Sequence, residues 1–352
     1  MGLVMPILLL ANIRMNYSRI AYTMKIAIEE LQTLGRKAVK TFGYNDGETQ
    51  AILDVLMYAQ MRGNNQGLVK LIGKGIPKDP RASEMQVVRE TACSTLLDGA
   101  YNMAIIAVQK AVELALEKTR EHGFGIVGTN NTYDSSGAIG YYASDIANTG
   151  NIGLVFAGSP PTVCTHGSHE PVFGTNPLAI GVPSEGKPVV LDMATAAMAY
   201  YGVIEAKTAG LDLPADVAYS SEGKLTTSPE EALKGAIRPF DRSHKGAGLA
   251  LMVEILTGPL VGACFAGIEN TGQGRGNLVI VIDPALLMDE DIFRSQVSQL
   301  IRKVKDMKKL PDVGEILVPG ERGDRVAQAR LESGETNIDE NLYEELKKVA
   351  ER

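Results

Sequence analysis

Cysteine and histidine are both scarce in this chain of 352 residues. The three cysteines, Cys93, Cys164 and Cys264, are widely spaced in apolar surroundings, which excludes a disulfide framework and the paired cysteines of a zinc site. We expect them to be buried free thiols in a reducing cytoplasm. Among the four histidines, His166 and His169 are spaced as H-x-x-H, but no third ligand accompanies them, so the sequence predicts no metal site.

An excess of positive charge is also missing. Lysine and arginine number 35 against 42 aspartates and glutamates, which gives a formal net charge of -7. No cluster of basic residues is interleaved with aromatic ones, so nucleic acid is not an expected partner and any anion site must be local. Hydrophobic residues make up 45% of the sequence, which is enough for two or three packed subdomains of a globular protein.

Uninterrupted apolar segments of membrane-spanning length are absent too. Leu3–Ala11 is too short to cross a bilayer and has no positive charge before it, which argues against a signal peptide. Residues 246–267 contain Glu254 and Gly258, and they therefore predict a pair of buried helices. We expect no membrane association. Residues 1–23 are predicted to be an N-terminal extension.

The rest of the sequence alternates helical and strand-like patterns without an internal repeat. Apolar residues at helical spacing and capping signals predict helices at Ile26–Phe42, at Asp46–Met61 with Asp46 as the cap, at Tyr101–His122, from Ser135 or Ser136 to Asn148, and from Asp339 to the C-terminus. Branched apolar runs predict strands at Gly125–Gly128, Ile152–Ala157, Leu178–Val182, Val189–Asp192 and Leu278–Ile282.

One nucleotide-binding motif is present but lies in the wrong place. Gly123, Gly125 and Gly128 spell G-x-G-x-x-G, which binds dinucleotides only between a strand and the helix that follows it. Here a helix precedes the glycines and a strand overlaps them, so Gly123 is predicted to end the helix. Any nucleotide must therefore be bound by other residues.

The most informative segment is the pentad Gly174–Leu178, which is followed by an apolar strand and then by Asp192–Thr195. A turn of glycine, asparagine and proline holds such a loop rigidly at the end of a strand, where ligands often bind. Together with His166, Gly167, Pro171 and Phe173, and with His244, Lys245, Gly246 and Gly248, this segment resembles the malate/L-lactate dehydrogenase family. The resemblance runs from about Met24 to the C-terminus. That family is unrelated to the Rossmann-type lactate dehydrogenases, and it includes ureidoglycolate and sulfolactate dehydrogenases and piperideine-2-carboxylate reductases.

The resemblance implies a mixed α/β fold of the non-Rossmann type, in which helices flank a central mixed or antiparallel sheet. It implies that residues 24–125 pack with residues 285–352 in a helical domain on the substrate side. Residues 126–284 would form the central nucleotide-binding sheet domain, with a helical insert. It also implies a homodimer with the site near the interface.

The resemblance further implies NAD or NADP as the cofactor. The positions that match the family's nucleotide-binding residues are Ser159, Asp192, Met193, Ala194, Lys245, Pro319, Gly320, Glu321 and Arg322. This set is physically reasonable, because a lysine at a helix N-terminus suits a diphosphate, while hydroxyl and carboxylate groups suit ribose. The ordinary alternative is that Lys245 is a surface lysine and Asp192 forms a turn. Arg322 or Arg275 near the ribose would decide between NAD and NADP.

The family's two catalytic histidines are replaced in this chain. By resemblance, Gln66 stands at the first histidine, Lys70 at an arginine that pairs with the substrate carboxylate, and Ser135 at the second histidine. Glutamine does not titrate and serine alone is a poor acid, while lysine keeps the charge but loses the two-pronged geometry of arginine. We therefore expect a changed proton path. The candidate catalytic residues are Gln66, Lys70, Ser135 and Asp134.

Several roles stay open at these positions. Asp134 can serve as an acid or base if burial raises its pKa. Alternatively, Asp134 or Ser135 can cap the next helix. The free N–H groups at the start of that helix can hold an anion. The amide cluster that ends in Gln66 suits an amide, ureido or imine substrate, or else forms a polar turn. His244 is an alternative acid. The expected substrate-binding residues are Asn65, Gln66, Lys70, Tyr133, Ser135 and Thr175.

Two functions from different classes follow. The first is an NAD(P)-dependent oxidoreductase that acts on a small 2-hydroxy, 2-oxo or cyclic imino acid through altered proton-transfer residues. A cyclic imine that is already protonated needs less help from an enzyme acid. The alternative is a lyase or hydrolase that acts on a polar anionic, amide-like or ureido-like metabolite and has lost dehydrogenase activity. The presence of Ser159, Asp192 and Lys245 favours the oxidoreductase.

Overall fold

The computed structural model describes residues 23–268, 272 and 274–352. The strands within these residues are β1 (Thr23–Ala27), β2 (Gln86–Glu90), β3 (Ser94–Asp98), β4 (Phe124–Thr132), β5 (Ile152–Ala157), β6 (Val163–Cys164), β7 (Pro171–Phe173), β8 (Leu178–Val182), β9 (Val189–Met193), β10 (Ala218–Tyr219), β11 (Leu225–Thr226), β12 (Ala236–Ile237), β13 (Arg275–Ile282) and β14 (Glu335–Asp339). The α-helices are α1 (Ile28–Thr41), α2 (Asp46–Met61), α3 (Ala104–His122), α4 (Gly140–Asn148), α5 (Tyr200–Ala209), α6 (Pro229–Lys234), α7 (His244–Thr257), α8 (Glu290–Lys305), α9 (Glu321–Ser333) and α10 (Glu340–Ala350). Short 3-10 turns lie at Leu68–Leu71, Pro259–Val261 and Pro284–Leu286.

A seven-stranded sheet with the order β2-β3-β4-β13-β5-β8-β9 forms the centre of the molecule. The β3 and β4 strands are parallel, and every other neighbouring pair in this sheet is antiparallel. The expected mixed α/β fold with a central mixed sheet is confirmed. Because of these pairings, β3, β4, β5 and β9 run in one direction, and their C-terminal ends lie at the same edge.

Two helices cover this sheet closely. The α3 helix packs on β4 and β13, and α4 packs on β5 and β8. The contacts are close enough to require glycine: a side chain at Gly125 would overlap the carbonyl of Ala115 in α3, and one at Gly181 would overlap the carbonyl of Ala143 in α4. The helices can therefore approach the strands only because the strands carry glycine at these crossings.

The N-terminal and C-terminal parts of the described chain pack against each other. The β1 strand pairs with β14, α1 packs on α10, and Arg62 at the end of α2 forms an ion pair with Asp324 of α9 at 2.7 Å. The β2 and β3 strands belong to the seven-stranded sheet, so this sheet extends to both sides of residue 125. The division of the chain into two domains at that residue stays a prediction.

The insert between β5 and β13 contains a second sheet with the order β11-β10-β12-β6-β7. This sheet and the helices α5 and α6 surround a separate core that includes Phe173, Met198, Val203 and Ile237. The insert is therefore mixed, whereas the sequence predicted a helical one. Most of its strands have two residues, which is too short for a pattern of alternation to be visible.

Two predictions near the start of the described chain were wrong. Residues Thr23–Ala27 form a strand, so the first helix begins at Ile28 and not at Ile26. The second helix is capped by Asn45, whose side chain accepts from the Glu48 N–H, and not by Asp46. Strand β1 pairs with β14, more than 300 residues away, and this tertiary contact overrides the local helical pattern. Apart from Thr23, the predicted extension at residues 1–23 lies outside the described residues.

The predicted boundaries around β4 also needed correction. The third helix begins at Ala104 because Ala100 and Tyr101 adopt positive φ angles of 47° and 62°, which a helix cannot contain. It ends as predicted at Gly123, whose φ is 73°. The β4 strand then continues to Thr132, four residues beyond the predicted strand end at Gly128. The next helix, α4, begins at Gly140 and not at Ser135 or Ser136.

Residues 246–267 do not form two buried helices. They contain most of α7 and one 3-10 turn, and four of their large apolar side chains are exposed: Leu251, Met252, Ile255 and Leu260. Cys264 is exposed as well, contrary to the expectation of buried thiols, while Cys164 is buried. All three cysteines are free. Within the described part of the chain, no helix has the length and apolar character needed to cross a bilayer.

The substitution Gly181→Ala tests the close contact between β8 and α4. The added methyl group would overlap the backbone carbonyl of Ala143, so the strand and helix must move apart. We expect a loss of about 1–3 kcal/mol in the free energy of unfolding, measured with urea. Gly186→Ala is the matched control, because a side chain there meets open space. Equal stability of the two variants would contradict the proposed packing constraint.

Candidate active site

Several candidate residues of the sequence analysis lie at the edge where β4, β5 and β9 end. Tyr133, Asp134 and Ser135 follow β4, and Ser159 follows β5. Thr175 precedes β8, whose first residue pairs with the last residue of β9. In sheets with helices on their faces, the C-terminal ends of strands are where ligands commonly bind. This edge is therefore the candidate active site.

The pentad that begins at Gly174 holds Ser159 in place. The Ser159 hydroxyl accepts from the backbone N–H of Asn176 at 3.2 Å and lies 3.3 Å from the Thr175 hydroxyl. A side chain at Gly174 would overlap the Ser159 carbonyl, so only glycine fits there. Ser159 and Thr175 thus form one hydroxyl cluster at the sheet edge, and their roles in cofactor and substrate binding stay predictions.

The turn itself is braced by α7 through the fully buried Asn176. Its φ of 37° is unusual for a residue with a side chain, and its amide donates to Glu254 Oε2 at 2.5 Å and to the Ala250 carbonyl at 3.2 Å. The other oxygen of Glu254 accepts from the N–H of Ala266 at 2.6 Å. Glu254 interrupted an apolar run in the sequence, but its role as a brace depends on a contact 78 residues away.

Asp192 lies at the end of β9 with its carboxyl group against the first residue of α4. Its Oδ2 accepts from the Gly140 N–H at 3.0 Å. Asp192 is exposed as a residue, but protein atoms crowd its carboxyl group, and the resulting loss of water raises the pKa of Asp192 to about 6 against the opposing effect of the Gly140 hydrogen bond. Met193 and Ala194 continue the chain along the same edge. The accessible part of the Asp192 carboxyl can still accept from a ribose hydroxyl.

Lys245 lies in the first turn of α7, where its side chain is exposed. The backbone donors of this turn already have partners: the Lys245 N–H donates to the Ser243 hydroxyl at 3.1 Å and the Gly246 N–H to the Asp241 carboxyl at 3.0 Å. The Asp241 carboxylate therefore occupies the place that an anion would take at this helix N-terminus. A phosphate contact must come from the Lys245 side chain.

The C-terminal candidates lie beside β9. The Pro319 carbonyl accepts from the Val190 N–H at 3.4 Å, and Gly320, with a φ of 88°, precedes α9. The carboxyl group of Glu321 is bound by Lys305, by Arg325 and by a backbone N–H, so it serves an ion-pair cluster between α8 and α9. Arg322 is exposed on the first turn of α9. The roles of these four residues in nucleotide binding stay predictions.

Lys70 and Ser135, which the resemblance assigned separately, are in direct contact. Lys70 lies in the 3-10 turn after α2, with a side chain that is buried at 2% relative exposure, and its Nζ is 3.0 Å from Ser135 Oγ. The same Nζ lies 3.7 Å from the centre of the Tyr201 ring of α5. Tyr201 was missed by the sequence analysis; the only signal is a pair of tyrosines shortly after the Asp-Met-Ala segment.

Burial gives Lys70 an unusual charge state. It lowers the pKa of the Lys70 ammonium to about 7, because a charged amine loses its hydration there. Negative charge on Asp134 opposes this shift, and the nearby guanidinium of Arg275 adds to it. The sequence suggested a point charge at Lys70, whereas in the structure the Lys70 amine can exchange a proton near neutral pH.

The predicted capping roles of Asp134 and Ser135 were wrong. Helix α4 begins at Gly140. Gly137, with a φ of 72°, turns the chain between Ser135 and the start of this helix. The Ser135 hydroxyl instead accepts from the Gly137 N–H at 3.0 Å, so the predicted free donors of this stretch are partly used. Asp134 adopts a φ of 55°, and its carbonyl accepts from the Arg275 guanidinium at 2.9 Å.

The amide cluster forms a polar turn between α2 and Lys70. The Gln66 N–H donates to the Asn64 side chain at 2.9 Å, while the side chains of Gln66 and Asn65 are 3.5 Å apart at a weak contact. Both side chains are partly exposed, and they remain able to bind a ligand. His244, the alternative acid, is exposed at the start of α7 with its ring centre 6.1 Å from that of His166. Throughout the described residues, no three His, Cys, Asp or Glu side chains are grouped to bind a metal.

Comparison with known proteins places this arrangement in context. A family model described as malate/L-lactate dehydrogenase matches residues 26–347. The L-sulfolactate dehydrogenase of Methanothermobacter thermautotrophicus is 34% identical over 346 residues, which cover 93% of this chain and 96% of the relative. The ureidoglycolate dehydrogenase (NAD(+)) of Escherichia coli O157:H7 is 30% identical over 92% of this chain and 95% of the relative. The structure of malate dehydrogenase from Pyrococcus horikoshii superposes with a TM-score of 0.81 at 29% identity, covering 94% of this chain and 95% of that one.

Glu254→Ala tests the brace between α7 and the Asn176 turn. The variant leaves the Asn176 amide and the Ala266 N–H without their buried acceptor, so we expect a loss of about 2–4 kcal/mol in unfolding free energy, measured with urea. Glu254→Gln keeps one acceptor and should lose less. Glu117→Ala, at an exposed position of α3, is the control and should be near neutral. Stability of Glu254→Ala equal to that control would show that the turn does not depend on the brace.

Proposed function

Because the chain belongs to the malate/L-lactate dehydrogenase family, we propose that it is an NAD(P)-dependent oxidoreductase that acts on a small 2-hydroxy or 2-oxo acid or on a cyclic imino acid. Relatives include dehydrogenases of hydroxy acids and reductases of cyclic imino acids, and the family uses NAD or NADP. The observation that carries the proposal is the common sheet edge, where Ser159 and Asp192 lie at strand ends.

Ser159 and Asp192 at this edge, together with Lys245 on α7, offer groups that fit a nicotinamide dinucleotide. Ser159 offers a hydroxyl, Asp192 an accessible carboxyl group for ribose, and Lys245 an exposed cation for phosphate. The bound reduced nicotinamide would supply the hydride. The residues of the chain then have two tasks: to orient the substrate and to move one proton.

Positive charge near Ser135 suits an anionic substrate. Arg275 uses one of its donors on the Asp134 carbonyl, and a guanidinium has further donors for a carboxylate. Arg275 keeps its charge at every working pH, whereas Lys70 does not. We therefore assign the substrate carboxylate to Arg275 in place of Lys70, which stays in the substrate site beside Ser135. Asn65, Gln66, Tyr133 and Thr175 line the remaining part of the substrate site. The lyase or hydrolase alternative is less favoured, since the named relatives are dehydrogenases and reductases.

We also propose a homodimer in the cytoplasm. The apolar side chains of Leu251, Met252 and Ile255 on α7, and of Leu260 beside them, are all more than 40% exposed, and such surfaces commonly mark protein interfaces. Three free cysteines, one of them exposed, suit a reducing compartment.

Calorimetric titration with NADH and with NADPH tests the proposed function. We expect one of them to bind with a dissociation constant on the order of micromolar. Lys245→Ala removes the charge assigned to the phosphate and should weaken binding about tenfold. Lys303→Ala, at an exposed position of α8, should leave the affinity unchanged.

Failure of both nucleotides to bind at millimolar concentration would overturn the proposal. A nucleotide that binds is next used in absorbance assays with oxaloacetate, 3-sulfopyruvate and Δ1-pyrroline-2-carboxylate, the oxidised partners of substrates named for the relatives. Reduction of one of these at a rate above the enzyme-free rate identifies the substrate class.

A further inference from the structure

We propose that Lys70 and Ser135 form the proton-transfer pair of this active site, in which Ser135 donates to the substrate oxygen and Lys70 replenishes the proton of Ser135. The inference rests on the proposed oxidoreductase function and names the groups that carry out the proton transfer which the resemblance assigns to histidine in the family. It is carried by the direct contact between Lys70 Nζ and Ser135 Oγ at 3.0 Å.

The hydrogen bonds around Ser135 give the pair a direction. A hydroxyl has two acceptor sites and one proton to donate. The Gly137 N–H, at 3.0 Å, can only donate to it, and the Lys70 ammonium, also at 3.0 Å, can only donate as well. Both acceptor sites are thus filled from inside the protein. Among the described residues Ser135 Oγ has no third partner, so its own proton is available to a bound substrate.

The surroundings of Lys70 leave its amine able to give up a proton. Within the described ranges, no carboxylate lies within ion-pair distance of the Lys70 Nζ. Tyr201 of α5 covers it with a ring face, Asp134 in the loop after β4 attracts its charge, and Arg275 of β13 repels it. With burial as the largest effect, the pKa of Lys70 falls to about 7. A donor with a pKa near the working pH is the most effective general acid.

The proton and electron balance of the reduction of a 2-oxo acid is complete with these two groups. Hydride from the reduced nicotinamide forms a bond to C2, and the electron pair of the C=O bond moves to the oxygen. Ser135 transfers its hydroxyl proton to that oxygen, while Lys70 transfers one ammonium proton to Ser135 Oγ. A hydroxy acid, a neutral amine and the oxidised nicotinamide result, and solvent water then returns a proton to Lys70. In the reverse oxidation, neutral Lys70 is the base.

A purely electrostatic role for Lys70, as a point charge for the substrate carboxylate, makes different predictions. In that case arginine would serve at position 70 at least as well as lysine, because it keeps its charge and adds a second donor. In the proton-transfer pair, arginine fails because a guanidinium does not release a proton near neutral pH.

The first test measures the titration of Lys70 in the substrate-free protein. NMR of the 13Cε atoms, in protein labelled with 13C-lysine, monitors this titration. The Lys70 resonance is identified by its loss in Lys70→Arg, and Lys303, which is exposed on α8, is followed in the same spectra as the reference lysine. We expect a midpoint of about 7 for Lys70. Ser135→Ala should lower it further, since the ammonium loses an acceptor. A Lys70 midpoint above 9, or one that does not respond to Ser135→Ala, overturns the proposal whichever substrate the enzyme uses.

The second test is the pH dependence of kcat for the reduction of oxaloacetate and of Δ1-pyrroline-2-carboxylate. With the oxo acid, wild-type kcat should fall tenfold per pH unit above about 7, as Lys70 loses its proton. Lys70→Arg and Ser135→Ala should each lower kcat about 100-fold or more and abolish this pH dependence. The double variant should be no worse than either single one, because the two groups act as a unit. The cyclic imine, protonated before hydride transfer, should be affected much less.

The outcomes separate this inference from the proposed function. Nucleotide binding with wild-type kcat and pH profile in Lys70→Arg overturns the pair and keeps the oxidoreductase. Absence of nucleotide binding removes the oxidoreductase, and the Lys70 titration still decides whether the pair exists. If Lys70→Arg and Ser135→Ala both bind the nucleotide with unchanged calorimetric affinity, these variants have lost proton transfer and not cofactor binding.

Discussion

The common direction of β3, β4, β5 and β9 is the constraint on which the candidate site depends. Residues as far apart in sequence as Ser135, Ser159 and Asp192 lie along one edge of the sheet because each lies at the C-terminal end of one of these strands, or just beyond it. The antiparallel neighbours bring the starts of β8 and β13 to the same edge, and with them the Asn176 turn and Arg275. The glycines that allow α3 and α4 to pack on the sheet are therefore part of what positions the site. Loss of that close packing would shift the loops without altering any residue in them.

Local patterns in the sequence predicted the parts of the fold that local energetics decide. The bounds of β5 and β8 agree with the predicted strands, α2 and the C-terminal helix lie where expected, and Gly123 ends α3. The errors occur where a tertiary contact or an unusual backbone angle decides the outcome. Thr23–Ala27 is a strand because β14 lies beside it, and α4 begins late because Gly137 has a positive φ. Neither cause can be read from neighbouring residues.

The candidate site was predictable as a list but not as an arrangement. The family resemblance supplied Lys70 and Ser135 one at a time, yet their contact spans 65 residues and the covering ring of Tyr201 is a further 66 residues along the chain. The pKa of a lysine is set by its burial, which no spacing of residues reveals. Asp241 is a second example. Its carboxylate accepts from the Gly246 N–H at the start of α7, where the sequence suggested a phosphate site. Residue types identify possible chemistry, whereas burial and hydrogen-bond partners decide which of it is available.

Redox chemistry at this site does not require the two histidines that the resemblance assigns to the family, because proton transfer needs a group that titrates near the working pH and not a particular residue type. A solvated lysine cannot meet this requirement, because its pKa lies about three units above neutral pH. Burial between Tyr201 and Ser135, with no carboxylate of the described residues at ion-pair distance, lowers the pKa of Lys70 to about 7. The same change has a cost for substrate binding, because an amine that is neutral half of the time is a poor partner for a carboxylate. The permanent charge of Arg275 at the neighbouring strand resolves this conflict, since it lets one cation bind the substrate while the other exchanges the proton. Separating these two tasks between different side chains is therefore the physical condition under which this site can work without histidine.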